Sequence, residues 1–236
     1  MSIKFENTVT PSPEQWKSVI IGMRNPHNSW DKSDSRWEPQ FNTESAPMSA
    51  AFVIGPNDLD LMNRLRHSGT DHRKFMRMLP VMVTITAPLY WWKEFDTYKV
   101  GTVANSCSTM HKIAAKEFTL EDFSHEHLID REDTYIYSGT CEEFIGPKET
   151  LEVIIDMLNE SRREYLETKD KKYWWQMIQL LPSSYNQKRM VMLNYEVLAN
   201  IYKWRKDHKL DEWKEFCKWI EGLPYSEIVT GKECEV

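Results

Sequence analysis

An α+β fold is predicted by three features of the chain. Residues 79–86, L-P-V-M-V-T-I-T, alternate Val81, Val83 and Ile85 with Met82, Thr84 and Thr86, which is the period-two signature of a strand. Leu151, Ile154, Ile155, Leu158 and Tyr165 recur at helical spacing with Glu and Arg residues between them, which makes one apolar stripe on a long helix. Further helices are expected over 171–180, 187–206 and 211–221, with no internal repeat or low-complexity tract among them. With 236 residues and 41% hydrophobic content the chain is long enough for a real core. A single domain over 1–236 is the economical reading.

Taken in order, residues 1–50 read as an N-terminal strand and loop. Val19, Ile20 and Ile21 form an apolar run that suits a buried strand, and the polar, turn-rich stretch N-P-H-N-S-W-D-K-S-D-S follows. Arg24, Asn25, His27, Trp30 and Asp31 in that stretch suit either a ligand lid or a solvated surface loop. Residues 51–54 end at Gly55-Pro56, and Asn57 is expected to cap a helix that carries Leu59, Met62 and Leu65 on one face. The chain turns at Ser68-Gly69, and Ala87-Pro88 stops the strand that follows. Pro88 then suits the first turn of an aromatic helix from Leu89 to about Tyr98. Residues 114–147 are charged and irregular, and Gly146-Pro147 closes them before the helical segment 148–221.

Composition excludes several functions. A net charge of −6 without a Lys/Arg-rich block argues against nucleic-acid binding. The N-terminus, M-S-I-K-F-E-N-T, lacks the form of a signal peptide, and no apolar run approaches the ~20 residues that span a bilayer, so a cytoplasmic protein with no membrane partner is expected. Cys107, Cys141, Cys217 and Cys234 show no paired spacing and read as reduced thiols, not as a disulfide framework or zinc site. His125-Glu126-His127 has metal-capable side chains but no third ligand nearby, so no metal is expected. No nucleophile elbow, P-loop or G-x-G-x-x-G occurs. The doublets Trp91-Trp92 and Trp174-Trp175 suit base stacking or, more simply, core and subunit-interface packing.

Two distant segments carry chemistry. The first runs V-T-I-T-A-P-L-Y-W-W-K-E-F-D and then T-Y-K-V-G-T-V-A-N-S-C-S-T-M-H over residues 83–111. The second places Leu181-Pro182 twelve residues before Asn194, which opens N-Y-E-V-L-A-N-I-Y-K-W-R. Together they resemble the flavin-dependent thymidylate synthases, whose signature R-H-R-x7-S follows a strand, an Ala-Pro step and a short aromatic helix. Laid from Ala87-Pro88, the R-H-R triplet falls on Thr97, Tyr98 and Lys99, and Gly101 and Thr102 match the small residue and Ser that follow. The signature Ser falls on Cys107 or, with a one-residue insertion, on Ser108, which the S-C-S-T-M-H ending favours. Asn105 matches either the Asn or the Glu of the family's Asn-Glu pair, and Asp71-His72 matches its first upstream His, whereas the second pair becomes Arg77-Met78. Downstream, Asn194, Leu198, Asn200 and Arg205 match; Glu196 stands where the family has Arg, and Ile178 where it has a phosphate-holding Arg.

The resemblance implies a central, mostly antiparallel sheet flanked by helices, with long C-terminal helices and a flavin and nucleotide segment over 51–113. It implies reductive methylation of dUMP to dTMP, with methylenetetrahydrofolate as carbon donor, FAD as hydride carrier and NADPH as reductant, in a homotetramer whose subunits share each site. By the same resemblance Arg205 contacts and polarises the pyrimidine, Ser108 faces the nucleotide, and Tyr98, Lys99, Thr102, Asn105, Asn194 and His72 belong to the cofactor. Lys supplies only a point charge where Arg grips phosphate bidentately, so the lost arginines leave open a different pyrimidine nucleotide or a non-catalytic nucleotide, flavin or protein partner. Lys93, Lys99, Lys188 and Arg189 are the candidates to compensate.

Overall fold

The computed structural model describes residues 3–41, 47–130, 136–137 and 144–231. A mostly antiparallel sheet flanked by helices is its centre. In chain order, strand β1 (Lys4–Val9) leads into helix α1 (Pro13–Arg24), two short 3-10 turns, strands β2 (Arg36–Phe41) and β3 (Pro47–Val53), and helix α2 (Pro56–His67). A 3-10 turn (Arg73–Met78), strand β4 (Pro80–Pro88), helix α3 (Leu89–Phe95), strand β5 (Val103–Ser106) and helix α4 (Thr109–Lys112) follow. The remainder is a 3-10 turn (Leu120–Asp122), β6 (Ile136–Tyr137), β7 (Phe144–Ile145), α5 (Pro147–Thr168), α6 (Lys171–Leu180), β8 (Asn186–Asn194), α7 (Tyr195–Arg205), α8 (Asp211–Glu221) and α9 (Glu227–Thr230). The sheet order is β1-β4-β8-β5; β2-β3 and β6-β7 are separate pairs.

The chain divides into two compact units. The first holds residues up to Phe5, Ile85–Thr97 and Asn105–Arg189; the second holds Glu6–Thr84, Tyr98–Ala104 and Met190 onward. Each of the four sheet strands passes from one unit to the other, so each unit has a stretch of every strand.

Val19–Ile21 form part of α1 and not the expected strand. Ser12 and Gln15 close a capping box, with the Gln15 amide nitrogen 3.3 Å from Ser12 Oγ and Ser12 N 2.7 Å from Gln15 Oε1, and Pro13 fixes the first turn. Trp16, Val19, Ile20 and Met23 then fall on one buried face while Ile21 points outward. The expected loop beyond Arg24 is also structured: β2 and β3 form an antiparallel hairpin that pairs Arg36 with Val53 and Trp37 with Phe52. Residues 1–50 are therefore more than the predicted strand and loop.

Arg24, expected in a lid or solvated loop, is buried in an ion pair with Asp58. Its Nη1 donates to the Ser29 carbonyl at 3.1 Å and its Nη2 to that of Lys32 at 3.2 Å. Ser33 and Ser35 hydroxyls donate to Asp58 Oδ2 at 2.7 and 2.6 Å. Burial by itself would raise the Asp58 pKa, but the hydrogen bonds from Ser35, Ser33 and Arg24 together outweigh it and hold the carboxyl below its ordinary range. Asp34 caps α2, accepting from the amides of Asn57 at 2.9 Å and Asp58 at 3.2 Å. Gly55, not Asn57, is the N-cap position, and a Cβ there would lie 2.2 Å from Asp34 Oδ1. The buried face of α2 is Asp58, Leu61 and Met62; Leu59 and Leu65 are half-buried.

In the second unit α7 is buried along most of its length, with Tyr195, Leu198 and Ile201 fully enclosed. Trp16 meets the Tyr195 ring edge-on at 5.5 Å, and the Tyr195 hydroxyl donates to the Pro224 carbonyl at 2.5 Å. In the first unit Ile113, Phe118, Phe123, Leu151, Ile155, Leu158 and Met177 form a core beneath α5 and α6. Trp91 and Trp92, of the same unit but outside that cluster, are fully buried beside Phe95, whereas Trp175 is exposed. The expected helix over 187–206 is two elements. Residues 186–194 form β8 and only 195–205 are helical. The aromatic helix expected to reach Tyr98 ends at Phe95.

Candidate functional site

Helix α7 builds the first candidate surface. Asn194 is its N-cap, its Oδ1 accepting from the Val197 amide at 3.0 Å. The loop before β5 packs on that cap: Gly101 has φ 78°, and a Cβ there would sit 2.6 Å from Asn194 Nδ2. Only glycine takes this left-handed conformation without strain. At the other end of the helix Arg205 Nε donates to the Tyr98 hydroxyl at 3.0 Å, and the guanidinium lies 4.6 Å from the Trp213 ring centre. The second unit thus brings Tyr98 to Arg205 and Gly101 to Asn194, pairs that sequence numbering separates by about a hundred residues. Lys99 is exposed. The half-buried Thr102 has a buried hydroxyl oxygen with no hydrogen-bond partner among the described residues.

Glu196 explains part of the missing arginine pattern. Its carboxylate is held by Arg77 and by Arg73 Nε at 3.1 Å, and Arg73 Nη2 reaches Asn200 Oδ1 at 3.4 Å. Burial opposes ionisation of Glu196, yet hydrogen bonds from Arg77 and Arg73 outweigh it and lower its pKa. The charge is inverted at position 196 and two guanidinium groups come from the 3-10 turn instead. Sequence reasoning missed Arg73 and Arg77 in this role. The other compensators divide: Arg189 is committed to Asp96 at 2.8 Å and stacks 4.2 Å over Trp92, whereas Lys188 lines a cavity.

That cavity, of about 430 Å3, lies within the first unit. Ser108, Lys188, Thr86, Asn186, His125 and Tyr185 are among its lining residues. Ser108 is the N-cap of α4, its Oγ accepting from the His111 amide at 3.1 Å, and Cys107 N donates to the Lys188 carbonyl at 2.9 Å. Gln187 Nε2 donates to the Cys107 carbonyl at 3.0 Å, so β8 holds both ends of the Cys107 peptide geometry and sets Ser108 at the cavity wall. Thr86 Oγ1 and Asn186 Oδ1 are buried without a partner among the described residues. Two orphaned polar atoms on the residues of one cavity suit a polar ligand, because buried polar groups are otherwise paired. Burial, with the Asp122 and Cys107 charges, raises the Tyr185 pKa and keeps its phenol a donor. Asn105 is exposed on the edge strand β5 of this unit.

A second cavity, of about 550 Å3, lies within the second unit. Met23, Leu65, Phe75 and Met78 give it apolar walls, and His72 and Lys74 stand among its polar residues. Such a volume and lining suit a planar ring system. No metal-capable cluster of His, Cys, Asp or Glu occurs among the described residues; His125 Nδ1 lies 2.9 Å from the Phe123 carbonyl. Cys217 is a buried thiol whose pKa burial pushes up to about 12, and Cys107 is free and exposed; Cys141 and Cys234 lie outside the described residues. No described helix is long and apolar enough to cross a membrane.

No family model matches the chain, and no curated protein matches it. Solved structures do. Thymidylate synthase X (ThyX) from Helicobacter pylori, crystallised with FAD and dUMP, is 14% identical, with 99% of this chain and 98% of that one covered and a TM-score of 0.62. The UMP/dUMP methylase PolB from Streptomyces cacaoi is 12% identical in two structures. Bound with 5-Br UMP it covers 98% of this chain and 96% of its own, with a TM-score of 0.59. Bound with 5-Br dUMP the figures are 98%, 94% and 0.54. The chain has the ThyX-like fold.

Proposed function

We propose that this chain is a flavin-dependent methylase of a pyrimidine nucleotide. The reaction is the reductive methylation of dUMP to dTMP, with methylenetetrahydrofolate as carbon donor and NADPH as reductant. The single observation that carries the reading is the first-unit cavity, where Ser108 and Lys188 stand beside the orphaned Thr86 hydroxyl and Asn186 amide oxygen. Its size is in the range of small-molecule sites. Lys188 supplies charge for a phosphate, Ser108 keeps a hydroxyl hydrogen to donate, and Asn186 Oδ1 accepts from a pyrimidine N–H. The resemblance, in which subunits share each site, gives Arg205 the polarisation of the pyrimidine, positive charge where negative charge develops.

The residues present fit a flavin. The apolar walls and His72 of the second-unit cavity would receive its ring system, and it is the resemblance alone that assigns Thr102, Lys99, Asn105 and Asn194 to the cofactor. Bound FAD would supply hydride transfer, reduced in turn by NADPH. Purified protein should then take up FAD, turn yellow and lose its visible absorbance on NADPH addition. Colourless protein that takes up no FAD would contradict the reading. The resemblance also carries a homotetramer, for which light scattering should give four times the 28.1 kDa of one chain.

A second reading is the same reaction on another pyrimidine nucleotide, such as UMP. Ile178, where the resemblance has a phosphate-holding Arg, packs against the apolar core under α6. Phosphate binding is therefore built differently, and a structural neighbour is a UMP/dUMP methylase. Turnover of dUMP and UMP side by side separates the two.

A further inference from the structure

We propose that Tyr98 and Trp213 are positioning residues, clamping the guanidinium of Arg205 so that it meets the nucleotide in one orientation; this rests on the role given to Arg205 above. Helix α7 ends at Arg205 and the chain reverses within five residues. The His208 amide donates to the Arg205 carbonyl at 3.0 Å, and the Leu210 amide to His208 Nδ1 at 3.2 Å. Helix α8 begins at Asp211, so its first turn carries Trp213 back to the last turn of α7. Trp213 is fully buried and is itself wedged, with Phe216 edge-on at 5.9 Å and His208 at 6.3 Å.

Three restraints meet at one planar group. The guanidinium carbon lies 4.6 Å from the Trp213 ring centre and 5.8 Å from that of Tyr98, both within cation–π range. The Tyr98 hydroxyl accepts from Nε at 3.0 Å. The two rings touch each other edge-on at 6.1 Å and 66°, closing the clamp. An arginine left to itself at a helix end samples many rotamers and is attracted only to the terminal carbonyls. Fixing it in advance removes an ordering cost that ligand binding would otherwise bear. Tyr98, which the resemblance assigned to the flavin, here acts on Arg205 instead.

The test measures dUMP and FAD affinity by calorimetry, and dUMP turnover, on Arg205→Ala, Tyr98→Phe, Trp213→Phe, Trp213→Leu and the double variant Arg205→Ala/Trp213→Leu. Circular dichroism checks that each folds. Arg205→Ala and Trp213→Leu should each weaken dUMP binding about tenfold, and Tyr98→Phe by a similar factor, with FAD affinity unchanged. Trp213→Phe, which keeps a ring under the guanidinium, should recover most of the loss. In the double variant Trp213→Leu should add nothing to Arg205→Ala, because it acts only through that side chain. Losses that add, or FAD affinity that falls with dUMP affinity, overturn the clamp. If Arg205→Ala is harmful while Tyr98→Phe and Trp213→Leu are silent, the clamp fails and the role of Arg205 stands. If Arg205→Ala leaves dUMP affinity and turnover intact, both fail. Should Trp213→Leu not fold, Tyr98→Phe decides, since it removes one oxygen and leaves the ring.

Discussion

Glu196 shows how one side chain can invert a local charge pattern without leaving a buried charge alone. Its carboxylate lies between Arg73 and Arg77, themselves 24% and 52% exposed. Replacing it by the arginine that the resemblance has there puts three cations together. Glu196→Arg should lower stability by about 2–3 kcal/mol, read as a fall in Tm of about 5–10 °C that added salt partly restores. A Tm equal to that of the wild type would show that the two guanidinium groups need no carboxylate. The compensation was not legible in the sequence because the partners stand 123 and 119 positions away. Arg24 and Asp58 pose a similar case, buried and linked through Ser29, Ser33 and Ser35. Breaking such a pair costs about 3–5 kcal/mol, so Asp58→Asn should lower the urea midpoint strongly at pH 7. The folded pKa of Asp58 lies below its unfolded value near ~3.9. Its stabilisation is therefore complete above that value and disappears as pH falls through the lower folded pKa. The gap between wild type and Asp58→Asn should narrow below pH ~4. A gap constant to pH ~2 would mean that ionisation of Asp58 contributes nothing.

Elements were readable where pattern and capping agreed. Strand β4 followed from alternation and α5 from helical spacing, with its start at Gly146-Pro147, and α6 and α8 stand where helices over 171–180 and 211–221 were expected. Helix α1 was misread because a Val-Ile-Ile run has strand propensity, while its identity lies upstream in the Ser12-Pro13-Glu14-Gln15 cap. Ser12→Ala should lower stability by about 1 kcal/mol, with a Tm loss of about 2–4 °C, and an unchanged Tm would deny the cap its role. Strand β8 was hidden for a different reason. Val191 and Leu193 face inward, but Met190 and Met192 face outward, and apolar residues on both sides blur a period of two. Arg205 and Tyr98 come from segments that sequence reasoning singled out, yet their mutual hydrogen bond depends on where α7 ends, which pattern alone does not fix. The Gly101–Asn194 contact was equally out of reach, because it rests on a positive φ and not on a motif.

At the scale of the whole molecule, charge and cavity point in opposite directions. The chain carries a net charge of −6, which would repel a nucleotide monophosphate from an average patch of surface. The first-unit cavity differs: Lys4, Lys116 and Lys188 give three positive charges against two negative ones from Glu121 and Asp122, a local balance of +1. Lys116 is paired with Asp122, and Lys188 is the lining cation to which the proposed function gives the phosphate. Binding to the folded chain alone stabilises it by mass action, about 2.7 kcal/mol at a ligand concentration a hundred times Kd. For a chain of this length that is a rise in Tm of about 5–10 °C. dUMP or UMP should produce such a rise, and uridine, which lacks the phosphate, should produce much less at the same concentration. Lys188→Glu should bring the nucleotide response down to that of uridine while leaving the Tm without ligand within about 2 °C, since exposed charges contribute little to folding. Equal shifts from UMP and uridine in the wild type would move the nucleotide site away from this cavity, because these two ligands differ only in the phosphate that Lys188 is assigned to hold.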